Sequence, residues 1–252
     1  MDAVPRQLVG MGIALARLYH RMETDQRAPT PTGPVLFVAN HGFGGVFDLN
    51  VLAFASAYEQ TGDRRSVTVL THQIAWTLGL GRIVEWFDAT PANHGAAIEA
   101  LRAGRHVVVF PGGDIDGFKS WSERNQVLFA GRSGFARLAM EADVPIIPVV
   151  TAGAGESLVV FSGGRRLARL TGLDKLLRLK SFPMSLSIPW GLNVGLVGLL
   201  PYIPLPTKLI TTVLPAMTAM EGESAEDYAC RVHDVMEREL TAMTRDRIPI
   251  VG

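Results

Sequence analysis

Short apolar runs rich in valine and isoleucine alternate with helical stretches through the middle of the chain, and this alternation restricts the fold more than any other feature. Strands that carry so few polar residues are buried on both faces, which is typical of parallel sheets. Parallel strands need crossover connections, which helices supply. We therefore predict an α/β fold with a mostly parallel central sheet and helices on both of its faces.

The predicted elements follow one another closely in the sequence. The strands are Val35–Ala39, Val67–Leu70, His106–Phe110 and Ile146–Val150, and the helices are Leu49–Tyr58, a broken helix over Gln73–Phe87, Asn93–Ala103 and Ser133–Ala142. A last helix begins at the capping-box-like sequence Ser224–Asp227. In parallel sheets, functional groups collect on loops beyond the carboxyl ends of the strands, so His41 and the turn Pro111–Asp114 are expected at that edge.

Composition limits the classes of protein that this chain can represent. Its 252 residues are 48% apolar and 19% charged, which suits one large domain with a sizeable core. The formal net charge is zero, so no overall field attracts nucleic acid and no nucleic-acid partner is expected. A single cysteine, Cys230, excludes an internal disulfide and a cysteine metal cluster.

The amino-terminal segment 4–22 has the pattern of an amphipathic helix. Arginines supply its polar side (Arg6, Arg17 and Arg21), and apolar residues recur at helical spacing: Leu8, Met11, Leu15, Leu18, Tyr19 and Met22. Two compatible interpretations are a helix that covers the core and a basic helix that lies on a membrane. Prolines make 24–34 a linker, so residues 1–30 are predicted as helix and linker, and 31–252 as the main domain.

A basic stretch and an apolar stretch follow each other in the second half of the chain. Residues 165–180 hold six basic residues against one acid, interleaved with six leucines, and 181–207 contain no charged residue but five prolines. A basic segment joined to an apolar, proline-broken one favours docking at a membrane interface. The alternative is that 181–207 are buried strands and loops and that the basic stretch is a solvated helix face. We predict 165–207 as a membrane-contacting insertion.

A pair of polar residues flanks the first glycine-rich turn. The first predicted strand ends on Asn40-His41, and Asp48 opens the next helix after a turn that contains Gly44 and Gly45. If the turn folds back, Asp48 reaches the ring of His41 and makes it an oriented general base. The alternative is a structural loop histidine beside an aspartate that caps the helix.

A second polar segment follows the strand at 106–110. Its glycines, Gly112 and Gly113, permit positive φ and close approach of a ligand to backbone N–H groups, and Asp114 comes next. Cations that could hold an anionic head group or a cofactor phosphate lie farther along the chain: Lys119, Arg124, Arg132 and Arg137.

Four sequence blocks stand in a characteristic order. They are Asn40–Asp48, the helix-to-strand unit 95–110, Phe110–Gly113 and Val144–Val149. Together they resemble the glycerolipid (lysophospholipid) acyltransferase superfamily, typified by 1-acylglycerol-3-phosphate acyltransferases, over roughly residues 33–152.

The blocks depart from the family pattern in two places. Six residues separate His41 from Asp48, where the family usually has His-x4-Asp. The family block Phe-Pro-Glu-Gly-Thr-Arg stands here as Phe110-Pro-Gly-Gly-Asp-Ile115, without the Glu and Arg linked to a glycerol-phosphate acceptor. Diacylglycerol-type acyltransferases tolerate Pro-Gly-Gly, so the resemblance implies the same chemistry on a different acceptor.

The resemblance implies a set of roles for these residues. His41 is the general base and Asp48 orients it; Gly112, Gly113 and Asp114 form the oxyanion and acyl-donor loop; and the predicted substrate-binding residues are Asn40, Lys119, Arg124 and Arg132. The implied donor is an acyl thioester on coenzyme A or acyl carrier protein, with no further cofactor and no metal. The implied acceptor is a lipid, at the cytoplasmic face of a membrane that the enzyme binds peripherally.

Three other functions use the same residues. A lipid hydrolase or thioesterase would let water replace the acceptor hydroxyl at the His41–Asp48 pair. A metal-dependent hydrolase would take its ligands from the polar residues near the strand ends: His41, Asp48, His72, Asp114 and Asp116. In a non-catalytic lipid-binding protein, His41 would be structural.

Overall fold

A computed structural model describes residues 6–42, 48–71, 89–91, 93–162, 164, 183–194 and 202–252. The predicted broken helix Gln73–Phe87, the basic stretch 165–180 and the turn that contains Gly44 and Gly45 lie outside the described residues.

Seven of the described strands form one twisted sheet in the order β1-β10-β6-β2-β5-β3-β4. Their bounds are β1 Glu23–Gln26, β2 Leu36–Ala39, β3 Val67–Thr71, β4 Ala89–Pro91, β5 His106–Val109, β6 Ile146–Ala152 and β10 Ile210–Val213. The pairs β6-β2, β2-β5, β5-β3 and β3-β4 are parallel, and β10 runs antiparallel to β6. The predicted α/β fold with a mostly parallel sheet is confirmed.

Helices cover both faces of this sheet. Their bounds are α1 Arg6–Tyr19, α2 Leu49–Gln60, α3 His94–Arg102, α4 Gly113–Gly117, α5 Gly134–Ala142 and α6 Ala225–Thr244. Leu36 and Val38 of β2 pack with α3, α5 and α6, whereas Phe37 and Ala39 pack with α2 on the opposite face. Because successive side chains of a strand point to opposite faces, an uninterrupted apolar run is what a sheet covered on both sides requires.

One edge of the sheet differs from the sequence interpretation. Strand β1 lies partly in the predicted linker 24–34, and its sequence Glu-Thr-Asp-Gln has no apolar alternation. It forms because its backbone pairs in parallel with β10, from Glu23 opposite Ile210 to Gln26 opposite Val213. An edge strand with one solvated side tolerates polar residues, so composition alone did not indicate it.

A second sheet of three antiparallel strands is formed by β7 Val159–Ser162, β8 Met184–Ser187 and β9 Gly191–Val194. Met184 lies opposite Val194, and Leu186 lies opposite Leu192. The described part of the predicted insertion 165–207 is therefore strand and loop. Ile188, the residue after β8, forms an isolated bridge with Ile203.

Helix α1 lies against α2 and is joined to it through Arg17. Ile13 is buried, and Arg17 donates hydrogen bonds to Ser56 Oγ at 3.0 Å and to Glu59 at 3.0 Å. Arg21, beyond the helix, binds the carbonyl oxygens of Pro206, Ile250 and Val251. These two arginines were predicted on the polar side of a surface helix, but both are used in contacts with the rest of the domain.

Within the ranges that the structure describes, no helix combines the length and apolar character needed to cross a bilayer.

Candidate active site

The site lies at the carboxyl edge of neighbouring parallel strands, as the topology predicts. Strand β2 pairs with β5 so that Val38 lies opposite Val109. The chain leaves β2 through Asn40 to His41 and leaves β5 through Phe110, and the rings of His41 and Phe110 pack with centroids 4.8 Å apart and an interplanar angle of 32°. The two sequence motifs therefore meet, since both follow adjacent strands at the same end.

Asp48 contacts the ring of His41 directly. Nδ1 of His41 lies 2.5 Å from Oδ2 of Asp48, and the two side chains are 17% and 10% exposed. The other carboxylate oxygen, Oδ1, accepts a hydrogen bond of 2.8 Å from the N–H of Asn50 and caps helix α2. The capping role of Asp48 is compatible with the predicted catalytic role, because each uses a different oxygen.

The second ring nitrogen of His41 is left for a substrate. When Nδ1–H donates to Asp48, Nε2 is the nitrogen that carries a lone pair. Among the residues that the structure describes, none forms a hydrogen bond with Nε2. A histidine held at one nitrogen and open at the other is the arrangement of a general base.

The backbone of His41 is fixed by a buried ion pair. Its N–H donates to Oδ2 of Asp116 at 2.7 Å, and its carbonyl oxygen accepts from Nζ of Lys119 at 2.9 Å. Lys119 and Asp116 also bind each other at 2.8 Å, and their side chains are 2% and 0% exposed. Asp116 is 75 residues from His41 in the sequence, so only the folded chain creates this support.

Lys119 has no donor left for a ligand. Its ammonium group donates to Asp116, to the carbonyl oxygen of His41 and to the carbonyl oxygen of Gln126, the last at 2.7 Å. An ammonium group carries three N–H bonds, and all three are used within the protein. This placement differs from the sequence prediction that Lys119 binds substrate, because the side chain turns into the domain.

Asn40 also faces the interior. Its Nδ2 donates to the carbonyl oxygen of Thr151 at 3.0 Å, and its Oδ1 accepts from the N–H of Thr151 at 2.8 Å. The Asn40 carbonyl in turn accepts a hydrogen bond of 2.5 Å from Asn50. The predicted substrate-binding Asn40 is thus placed where it links the ends of β2 and β6 and sets the exit direction of the chain toward His41.

The Pro-Gly-Gly turn leads from β5 into α4. Gly113 has φ +51° and donates its N–H to the carbonyl oxygen of Phe110 at 3.1 Å, so this N–H is not available to a substrate. The N–H of Gly112 has no acceptor within the described ranges. Of the two glycines predicted for the oxyanion, the geometry therefore favours Gly112. The side chain of Asp114 lies outside the described residues.

Of the predicted cations, Arg132 contacts this turn, and Arg124 packs on Trp121. Nη1 of Arg132 donates to the carbonyl oxygens of Pro111, at 2.8 Å, and of Gly112. Arg124 donates to the carbonyl oxygen of Trp121 at 2.7 Å and lies over its ring at 4.8 Å. Arg132 therefore braces the turn through backbone oxygens, and its role toward a substrate stays a prediction, as does that of Arg124.

The acyltransferase family matches the chain over residues 20–152, which is more than half of its length and contains the His41–Asp48 pair and the Pro-Gly-Gly turn. The chain belongs to this family. The family expected from the four sequence blocks is therefore confirmed.

Several proteins are similar to this chain. The mouse protein named DGAT1/2-independent enzyme synthesizing storage lipids is 28% identical over 190 residues, which is 75% of this chain and 55% of that protein. An uncharacterised protein of Mycobacterium bovis is 30% identical over 220 residues, covering 86% of this chain and 56% of that protein. The chain thus spans little more than half the length of these relatives.

A solved structure shares the fold. The 1-acyl-sn-glycerophosphate acyltransferase of Thermotoga maritima superposes with a TM-score of 0.54 at 14% identity, over 98% of this chain and 86% of that chain. At this identity the likeness concerns the fold alone.

Two residues of the acyltransferase site were missed by sequence reasoning. Asp116 was considered only as a metal ligand, although an aspartate three positions before Lys119 indicates a pair within one helical turn. Tyr202 hydrogen-bonds with Ser157 and lies within electrostatic reach of Asp48. The pKa of Tyr202 is raised to about 12, mainly by burial; the Ser157 hydrogen bond lowers it, and the Asp48 charge raises it. Nothing in the proline-rich sequence around Tyr202 indicated this position.

Proposed function

We propose that this acyltransferase moves a fatty acyl group from an acyl thioester, on coenzyme A or acyl carrier protein, to a hydroxyl group of a glycerolipid or another lipid. One observation carries the proposal: the 2.5 Å contact between Nδ1 of His41 and Asp48, with Nε2 left open. The family and the fold support lipid acyl transfer as the reaction class.

The geometry suits direct attack by the acceptor. Nε2 of His41 takes the proton of the acceptor hydroxyl as its oxygen attacks the thioester carbonyl carbon, and Asp48 stabilises the imidazolium that forms. The tetrahedral intermediate then expels the thiolate, which takes the proton from His41. The products are a lipid ester and a free thiol. An acyl-enzyme intermediate is unnecessary, because the thioester is already activated.

The oxyanion needs donors that are fixed before the reaction begins. We assign the N–H of Gly112 to this role, supported by its lack of an acceptor among the described residues and by the bracing of its carbonyl oxygen by Arg132. Loss of one oxyanion donor typically raises the barrier by about 2.7–4 kcal/mol.

We propose a neutral acceptor such as a diacylglycerol. The sequence lacks the family's Glu and Arg at the Pro-Gly-Gly turn. The mouse relative is named for the synthesis of storage lipids, which is consistent with a neutral acceptor, although the chain spans only part of that protein. We also propose that the reaction occurs at the cytoplasmic face of a membrane. The apolar side chains of α1 support contact with a bilayer, since Leu15 is 62% and Leu18 78% exposed.

The direct test is acyl transfer by the purified full chain. Radiolabelled palmitoyl-coenzyme A is supplied with diacylglycerol, monoacylglycerol or lysophosphatidate, and labelled lipid ester and labelled free fatty acid are measured separately. Ester formation that depends on the acceptor supports the proposal. Fatty acid release at the same rate with and without acceptors would instead make the protein a thioesterase, and no turnover of any thioester would leave a lipid-binding protein.

The matched variants are His41→Ala and His94→Ala. His94 is exposed and pairs with Glu141 on the surface, so its loss controls for removing a histidine from this fold. We expect His41→Ala to lower kcat by a factor of about 10² to 10⁴ or more, while His94→Ala stays near wild type. Near wild-type transfer by His41→Ala would remove the proposed base.

A further inference from the structure

In the small antiparallel sheet, strands β8 and β9 expose their apolar side chains and bury their polar ones. The apolar side chains of β8 and β9 are 37% to 63% exposed: Met184, Leu186, Leu192 and Val194. The polar side chains between them are 0% to 8% exposed: Ser185, Ser187 and Asn193. Sheets with one solvated face normally place apolar residues inward and polar residues outward. A strand pair that does the reverse is built to meet an apolar medium on its outer face.

Cross-strand register assembles the outward residues into one surface. Met184 lies opposite Val194, and Leu186 lies opposite Leu192, so all four share a face. Ile188 continues it and bridges to Ile203, and both are more than half exposed. We call this set, Met184, Leu186, Ile188, Leu192, Val194 and Ile203, the apolar platform.

The platform is joined to the active site and to α1. Two residues after Ile203, the N–H of Leu205 donates to the carbonyl oxygen of Ser157 at 2.8 Å, and the Ser157 hydroxyl donates to the carbonyl oxygen of Ala154 at 2.8 Å. Ala154 packs against Gly42, the residue after His41, where an added Cβ would lie 2.5 Å from the Ala154 Cβ. On its other side, Pro204 accepts a hydrogen bond of 2.8 Å from the hydroxyl of Tyr19, at the end of α1. The segment that carries Ile203 is therefore connected both to the chain beside His41 and to the end of α1.

We propose that the apolar platform docks the enzyme on an anionic lipid bilayer and delivers the acyl-chain substrates to His41. This inference rests on the proposed function, since a lipid acyltransferase must reach molecules that reside in membranes. Charge complementarity supports this occupant: the sequence that connects β7 to β8 carries six basic residues and one acid at 165–180. Basic residues beside an inserting apolar surface add attraction to anionic lipids.

The test measures vesicle binding apart from catalysis. The full chain is co-sedimented with vesicles of equal parts phosphatidylcholine and phosphatidylglycerol, and with phosphatidylcholine alone. The variant Leu186→Glu/Leu192→Lys places opposite charges across the strands, where they can pair, and leaves the net charge unchanged. We expect it to lower the partition coefficient about tenfold or more, because two inserting leucines are lost. Wild type should bind the anionic vesicles more tightly than the neutral ones.

The matched control is Met140→Glu/Met220→Lys. Both methionines are exposed, at 38% and 57%, and lie on α5 and before α6. This control should bind vesicles like wild type. Equal binding by the platform variant and the control would overturn the proposal, and thermal unfolding of each variant shows that folding is retained.

A second measurement does not depend on charged substitutions. Trp190 lies in the turn between β8 and β9 and is half exposed, whereas Trp121 lies in the 3₁₀ turn beyond α4. Brominated lipids should quench the fluorescence of wild type and of Trp121→Phe, and quench Trp190→Phe much less. Equal quenching in both variants would contradict insertion of the platform.

The outcomes separate this inference from the proposed function. If the platform variant loses vesicle binding and wild type transfers no acyl group to any acceptor, the docking surface is supported and the proposed reaction is wrong. If that variant binds vesicles normally and wild type is active, the proposed reaction is supported and the docking surface is wrong. Sedimentation velocity tests a second copy of the chain as the partner of the platform. If wild type and the control are dimers, and the platform variant is a monomer with unchanged vesicle binding, the platform is a dimer interface and the proposal is wrong.

Discussion

Asp48 holds the ring of His41 with one carboxylate oxygen and caps helix α2 with the other. Any shift in the start of α2 would therefore move the carboxylate of Asp48 relative to the ring of His41. The glycine-rich turn between the two residues sets their separation in the sequence, while the first turn of α2 sets the position of the carboxylate. Local helix capping and the orientation of the base are properties of the same side chain.

Separating the two roles of Asp48 gives the first prediction. Asp48→Asn keeps a good helix cap, so the free energy of unfolding should change by less than about 0.5 kcal/mol. The amide no longer stabilises an imidazolium as a carboxylate does, and kcat should fall by about 10³ to 10⁴. Asp48→Ala should lose the cap as well, at about 1 kcal/mol. Urea unfolding and steady-state transfer rates measure the two effects, and equal stability of both variants would contradict the capping role.

The buried pair Asp116–Lys119 gives the second prediction. Oδ1 of Asp116 accepts from Lys119 and Leu128, and Oδ2 accepts from His41, so an asparagine has one acceptor oxygen too few. Asp116→Asn also leaves the ammonium without a counter-charge, and we expect a loss of about 3–5 kcal/mol in the free energy of unfolding. Chemical denaturation at neutral pH measures this loss.

A double-mutant cycle separates the pair from its effect on His41. Lys119→Met combined with Asp116→Asn removes both charges and should recover part of the stability lost in the single variant. The stable double variant should still have a lower kcat with a nearly unchanged KM. The carbonyl oxygen of His41 loses its bond from Lys119, and the asparagine keeps one oxygen for the N–H groups of His41 and Leu128. An unchanged kcat in the double variant would contradict the positioning role.

Close packing at the Pro-Gly-Gly turn gives the third prediction. A Cβ at Gly112 would lie 2.1 Å from Cβ of Asp116 and 2.5 Å from the carbonyl oxygen of Leu128, which is backbone and cannot turn away. Gly112→Ala should therefore destabilise the protein by about 1–3 kcal/mol or more and abolish transfer. Gly134→Ala in α5 is the control, since its Cβ meets nothing within 4 Å. The change in Tm relative to wild type should be negative for Gly112→Ala and positive for Gly134→Ala, because alanine favours the helix.

The fourth prediction concerns pH and the buried His106. Its Nδ1 accepts from the N–H of Val35 at 3.1 Å, and its Nε2 lies 3.1 Å from Asp63. Burial lowers the pKa of His106 below its ordinary value of 6.5, and the hydrogen bond with Asp63 opposes this shift. The unfolded chain then takes up the proton at higher pH than the folded chain. Stability is therefore full above pH 6.5 and declines as pH falls through the folded pKa, by at most about 1.4 kcal/mol per pH unit for this group.

Urea unfolding across this pH range checks the sign. The variant His106→Asn removes the titrating ring, so its stability should be lower overall but should fall less steeply on acidification. Burial also lowers the pKa of His20, which continues to contribute to the slope in both proteins. A slope as steep in the variant as in wild type would contradict the assignment to His106.

Sequence reasoning located the parallel strands and the two motifs at their carboxyl ends, because these depend on local composition and on the order of elements. The same reasoning missed β1, whose polar sequence becomes a strand only by pairing with β10. It also assigned Lys119 and Asn40 to a substrate, because a cation or an amide near a motif gives no indication of whether it faces solvent or the core.

By itself, the sequence determined that the chain has a parallel α/β core, and that His41, Asp48 and the Pro-Gly-Gly turn belong to one edge of it. Short-range chemistry decides these features: buried apolar runs form strands, and glycines permit tight turns. Only the tertiary structure decided that Asp116 and Lys119 hold the backbone of His41, and that the leucines of β8 and β9 face outward. Those features depend on which distant segments pack against each other, since the direction of a side chain is set by the neighbours that bury it.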